Sequence, residues 1–227
     1  MTSEPQYYEL TDELIQDGYL KTPELIESFE HIDRADFVPD DQKEFAHCNT
    51  PLAIGFNQTI SQPLSVAFML ELLQPKAGEH ILDIGAGSGW QTAILADVVS
   101  KKTAEGTGVA TDSELSLGSV VAVERVPELK AFSEVNIDKY GFIRQNIAQV
   151  VLGDGTKGYK NSAPYDKIIA SASSEGDVPV LWKRQLKIGG RIVAPVGSSI
   201  VVIDKISKLK YTKKEYFGFN FTPLVVS

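Results

Sequence analysis

The chain has 227 residues, 43% of them hydrophobic and 23% charged, which suits one globular domain with a substantial core. A net charge of −8 repels phosphate backbones and argues against a nucleic-acid partner; Lys205, Lys208, Lys210, Lys213 and Lys214 are interleaved with apolar residues, as on a solvated strand face or turn. The single cysteine, Cys48, has no internal partner, the first residues do not read as a secretory leader, and no run reaches the ~20 apolar residues of a membrane span, so a cytoplasmic chain with no membrane partner is expected.

The first 40 residues read as helical. Thr11 to Leu14 can start one helix, which Gly18 ends, and Thr22-Pro23 can start another as N-cap and first helical residue. Leu25, Ile26 and Phe29 share a face of that second helix. Residues 38–63, punctuated by Pro39, Pro51, Gly55 and Pro63, read as a long irregular segment of the kind that often carries function. An apolar helix follows from Leu64 to Leu73.

Beyond it, strands and helices alternate. Strands are predicted at 80–84, 119–124, 148–152, 167–171 and 190–196, with helices at 90–99, 127–139 and 179–186. Two further strand-like runs, 200–206 and 216–221, can close the sheet as an antiparallel pair. This alternation implies an α/β fold: a mostly parallel, Rossmann-like sheet with helices on both faces and antiparallel pairing at the C-terminal end. The polar stretch 101–118 reads as an insertion between a helix and a strand.

Chemistry concentrates at three strand ends. Asp83-Ile84-Gly85-Ala86-Gly87-Ser88-Gly89 ends one strand and opens a helix. Its glycines allow a tight turn and let a ligand approach the backbone. The spacing is neither that of a dinucleotide fingerprint nor that of a phosphate loop. A carboxylate at Asp83 would repel a diphosphate but suits the cationic amino-acid end of S-adenosylmethionine. Glu124 ends the next strand, where an acid can accept two hydrogen bonds from ribose hydroxyls. Gly153-Asp154-Gly155 follows the third strand, and Asp154 is placed to accept from an adenine amino group. The three histidines are scattered, no metal-ligand spacing is present, and no nucleophile elbow surrounds Ser173-Ser174.

These residues resemble the protein-L-isoaspartate (D-aspartate) O-methyltransferase family, within the class I S-adenosylmethionine-dependent methyltransferases. The likeness extends from Ile54-Gly55-Phe56-Asn57-Gln58-Thr59-Ile60-Ser61-Gln62-Pro63 through 82–93, 151–159 and 163–166 to 185–197. It implies methyl transfer from S-adenosylmethionine to the α-carboxyl group of isoaspartyl residues in damaged proteins. The ester then cyclises to a succinimide and reopens, partly to normal aspartate. Ser61 matches the family's active-site serine. Gln58, Thr59, Ser61 and Ser88 match positions of its cofactor pocket, joining Asp83, Gly85, Gly87, Glu124, Asp154 and Gly155.

The expected organisation is one methyltransferase domain and a monomer. Residues 1–76 form a helical, substrate-side extension, and 77–227 the cofactor-binding core. A departure from the family lies at 170–179, which reads one residue longer and carries Glu175 and Asp177; facing the substrate, these would disfavour an anionic peptide. Two other readings keep the cofactor: a diverged methyltransferase with another peptide or small-molecule substrate, and a non-catalytic adaptor.

Overall fold

A computed structural model describes residues 6–101 and 118–225. Apart from its two end residues, the expected insertion at 101–118 lies outside the described residues. The elements run α1 (Gln6–Gln16), α2 (Pro23–His31), β1 (Leu52–Gly55), β2 (Gln58–Ile60), α3 (Pro63–Leu73), β3 (His80–Ile84), α4 (Trp90–Ser100) and β4 (Ser119–Glu124). They continue with α5 (Pro127–Asp138), β5 (Ala148–Leu152), β6 (Tyr165–Ala170), α6 (Val180–Gln185), β7 (Leu186–Val196), β8 (Ser199–Lys205) and β9 (Tyr211–Phe217).

Seven strands form one sheet in the order β5-β4-β3-β6-β7-β8-β9. The first five are parallel; β8 and β9 continue as an antiparallel meander. Apolar residues run continuously along the central strands because both faces are covered. Ile81, Val120, Ala122, Ile169 and Val193 pack on one side with the long helices. Leu82, Val121, Val123, Ile168 and Ile192 pack on the other, around Trp182 of α6. Helices thus lie on both faces, but unequally: among the described residues α3, α4 and α5 cover the first, while six-residue α6 and irregular chain cover the second. Gly89 lets α4 start close against α5. Its φ is +95°, and a Cβ there would lie 2.9 Å from Ile137 Cγ1.

Three expectations need correction. The irregular segment 38–63 contains a short 3-10 turn at Asp40–Phe45 and the β1-β2 hairpin, and a further 3-10 turn, Arg34–Phe37, precedes it. The hairpin turns on Phe56 and Asn57, both at positive φ (53° and 56°), a two-residue geometry for which Phe56 gives no sequence cue. The final strand lies at Tyr211–Phe217 rather than 216–221, because this edge strand is charged and mostly exposed, not apolar. Lys205 is buried instead of solvated, its ammonium donating to the carbonyls of Lys183 and Leu186 at the end of α6. Among the described residues no helix is long and apolar enough to cross a membrane.

The N-terminal helices are tied to the core by polar contacts as well as packing. Thr22 is the N-cap residue of α2, yet its hydroxyl does not cap its own helix. Glu71 of α3 supplies the acceptors instead: Oε1 accepts from the backbone N–H groups of Lys21 and Thr22 at 2.7 and 2.6 Å, and Oε2 from the Thr22 hydroxyl at 2.8 Å. A carboxylate at a helix N-terminus also favours the helix dipole. Replacing Glu71→Ala leaves these donors without their partner and is expected to cost ~2 kcal/mol, a fall of roughly 4–8 °C in Tm by calorimetry. An unchanged Tm would show that the contact carries no stability.

Candidate active site

The carboxyl ends of β3 and β4 and the chain leaving β5 and β6 converge on a cavity of about 430 Å³. Open parallel sheets bind ligands here because successive crossover connections diverge and leave a crevice. Ile84, Gly85, Ala86, Gly87 and Ser88 form its floor, and Val123, Glu124 and Arg125 one side. Gly155, Ser171 and Ala172 contribute from the next strand ends. The N-terminal part closes the opposite side through Gln58, Thr59, Ile60, Ser61 and Gln62. The segment Asn220 to Val225 completes the wall. It is held there by Ser173, whose N–H donates to the Thr222 carbonyl at 2.8 Å and whose carbonyl accepts from Leu224 at 2.7 Å.

Of the residues expected from sequence, Gln58, Thr59, Ser61, Gly85, Gly87, Ser88, Glu124 and Gly155 meet at this cavity. Asp83 and Asp154 do not. Asp83 is fully buried beneath the glycine loop, with Oδ1 accepting from Gln91 Nε2 at 2.8 Å and Oδ2 from Thr92 Oγ1 at 2.7 Å. Its carboxylate cannot face a ligand directly; it joins β3 to α4. Asp154 folds back on its own turn, accepting from the Thr156 N–H and hydroxyl at 3.0 and 2.6 Å, with Lys157 Nζ at 2.9 Å. Burial alone would raise its carboxyl, but Thr156 and Lys157 hold it below the ordinary value. Its Oδ2 is buried, with Lys157 as its ion-pair contact and no hydrogen-bond partner among the described residues.

Glu124 is buried at the cavity wall. Oε1 accepts from the backbone N–H groups of Arg125 and Val126 at 2.8 and 3.0 Å, and Oε2 from Gly87 at 2.9 Å. A carboxylate offers about four acceptor positions, so one remains on Oε2 for a ligand hydroxyl rather than the two expected.

Sequence reasoning missed Gln91. It lines the cavity from the first turn of α4, and Asp83 fixes its amide by taking Nε2. Its Oε1 is buried with no partner among the described residues. A buried orphan acceptor is costly and signals an absent donor. The C-terminal wall was missed too, since Asn220 to Val225 carries no motif. Trp90 is buried and also borders the cavity. Glu175 and Asp177 do not line it, and Asp177 pairs with Lys183 at 2.6 Å. The condition under which those acids would disfavour an anionic peptide is therefore not met.

A family model described as protein-L-isoaspartate(D-aspartate) O-methyltransferase matches residues 6–227. The chain belongs to this family. Family members named protein-L-isoaspartate O-methyltransferase include those of Staphylothermus marinus and Methanopyrus kandleri, each 37% identical. The first match covers 94% of this chain and 91% of the relative, the second 95% and 89%. The Rossmann-like class I methyltransferase fold is shared with a candidate protein-L-isoaspartate O-methyltransferase of Plasmodium falciparum, crystallised with S-adenosyl-L-homocysteine. That structure superposes with a TM-score of 0.81 at 22% identity, over 98% of this chain and 99% of the other.

In this member of the family, burial raises Asp83 from 3.8 to about 6, against the opposing hydrogen bonds of Thr92 and Gln91. A carboxyl group whose pKa is raised by folding contributes stability that is complete below its unfolded pKa and is lost as pH rises through the folded one. Asp83→Asn removes that titration. The native chain is therefore expected to lose roughly 2 kcal/mol relative to Asp83→Asn between pH 4 and 7, by denaturant unfolding. A pH-independent difference would mean that Asp83 does not titrate in this range.

Proposed function

We propose that this chain is a protein-L-isoaspartate O-methyltransferase that uses S-adenosylmethionine to methylate the α-carboxylate of isoaspartyl residues in damaged proteins. The observation that carries this reading is one cavity lined both by the glycine loop with Glu124 and by the Gln58–Gln62 segment. The first part suits the cofactor; the second, from the N-terminal extension of residues 1–76, borders the cofactor through Gln58, Thr59 and Ser61 and brings Ser61 to the substrate side. Together with residues 77–227 it forms one methyltransferase domain, which we take to act as a cytoplasmic monomer.

The residues fit the cofactor on structural grounds. The orphan Gln91 Oε1 suits an ammonium donor. Glu124 Oε2 suits one ribose hydroxyl. A Cβ on Gly85 would project into open space at the floor, so its absence leaves room for a ligand against the backbone. When bound, S-adenosylmethionine supplies an electrophilic methyl group on a sulfonium centre.

The chain's own residues align the reactants and exclude water. A substrate carboxylate with a pKa near ~4 is ionised at neutral pH and needs no general base. Attack joins an anion to a cation, so charge is neutralised as the bond forms, and water stabilises the separated charges more than that transition state. A cavity that holds the two groups in line and away from water lowers the barrier. Ser61, half-buried at the wall, is placed to orient the carboxylate by donating its hydroxyl hydrogen bond.

Two outcomes are expected. Labelled S-adenosylmethionine should leave base-labile label on a short isoaspartyl peptide and none on its aspartyl twin, with Ser61→Ala lowering turnover about tenfold or more at cofactor affinity within ~3-fold. Cofactor binding without label on either peptide would move the reading to another substrate. Gln91→Leu, which keeps the volume and removes the acceptor, should weaken cofactor binding by roughly tenfold or more in calorimetry. Unchanged affinity would remove Gln91 from the cofactor site.

A further inference from the structure

Arg34 is 2% exposed, and no carboxylate lies within ion-pair distance of its guanidinium among the described residues. Burial lowers its pKa to about 10, so it remains charged at neutral pH. Buried cations are normally paired with an acid, because removing a charge from water is expensive. Here the compensation comes from main-chain carbonyls. Nη1 donates to Ala46 and Cys48 at 2.7 and 3.2 Å, and Nη2 to Thr50 and Ser61 at 2.9 and 3.1 Å. The guanidinium also lies 5.4 Å from the centre of the Trp90 ring, whose indole N–H donates to the Ile32 carbonyl.

These acceptors belong to the otherwise irregular segment that brings Ser61 to the cavity. Only Ser61 among them, with Trp90 beneath, borders the cavity itself. The planar fork reaches four carbonyls at fixed angles, which neither lysine nor glutamine can reproduce. A trans peptide directs its N–H opposite to its C=O. With the Ser61 carbonyl drawn to Arg34, the Gln62 N–H faces away from the guanidinium, and both residues line the cavity.

We infer that Arg34 is a positioning residue for methyl transfer, acting through the Ser61–Gln62 peptide to hold the Ser61 hydroxyl and the Gln62 N–H where the substrate carboxylate docks. A buried positive charge behind that peptide also polarises it, strengthening its N–H as a donor to an anion. The inference rests on the function proposed above. It assigns Arg34 to the substrate half of the cavity and not to the cofactor half.

A double-mutant cycle between Arg34→Lys and Ser61→Ala tests it, with kcat and KM read on the isoaspartyl peptide and cofactor Kd read by calorimetry. The native chain is assayed first. Inactivity there with intact cofactor binding overturns the proposed function, and this inference with it. With an active native chain, Arg34→Lys is expected to lower kcat/KM about tenfold or more while cofactor Kd stays within ~3-fold. In the Ser61→Ala background the same change should cost several-fold less, the remainder acting through the Gln62 N–H. Equal costs in the two backgrounds, or a parallel loss of cofactor affinity, overturn the inference. Arg34→Gln provides a second variant for the same cycle, and failure of both variants to fold overturns it by making Arg34 a folding residue only.

Discussion

A carboxylate at the end of a buried strand, away from bulk water, has to find its hydrogen-bond donors within the chain. Glu124 does so with three backbone N–H groups, from Gly87, Arg125 and Val126. Those bonds join the glycine loop after β3 to the chain leaving β4 and set the width of the cavity between them. Asp83 performs the equivalent task one layer deeper, through Gln91 and Thr92. Asp154 closes the turn after β5. The acids at these strand ends are therefore first of all loop-holding groups. What they leave over is one acceptor position on Glu124 Oε2 and two buried oxygens without a hydrogen-bond partner among the described residues, Gln91 Oε1 and Asp154 Oδ2.

The N-terminal part depends on a different device. The chain on either side of the β1-β2 hairpin, at 46–51 and at Ser61, has no regular structure of its own, and such chain orders only if its carbonyls are satisfied. Arg34 satisfies four of them from inside. His47 and Asp33 add an outer contact at 2.8 Å, and Glu71 secures the helix that precedes Arg34. The Gln58–Gln62 wall is thus joined to the core by these polar contacts as well as by the packing of Leu52, Ile54 and Ile60, whereas the glycine-loop wall is continuous with the sheet. Ser61 stands where these two constructions meet.

Much of the core was legible because its physics is local. The strands at 119–124 and 148–152 lie where apolar runs between turn signals place them: the first is buried along almost its whole length, and the second, at the sheet edge, alternates buried and exposed residues. The glycine loop announces itself because only glycine tolerates its backbone. The 38–63 segment was not legible: a hairpin of two strands this short with Phe56 at its turn follows no propensity rule, and its stability comes from contacts with the rest of the chain. The edge strand at Tyr211–Phe217 was misplaced because it is charged and mostly solvated, so hydrophobic pattern carries no information there.

By itself the sequence determined the alternation of strands and helices, the turn at Gly85 to Gly89 and the order of acids at the strand ends, because periodicity, turn chemistry and residue type act over a few neighbours. Only the tertiary structure decided which way those acids point. Direction depends on which donors come within reach when distant elements pack: Thr92 and Gln91 took Asp83, Thr156 and Lys157 took Asp154, and Gly87 left Glu124 partly open. The same packing turned Arg34, an ordinary charge in the sequence, into a buried cation behind the Ser61 side of the cavity.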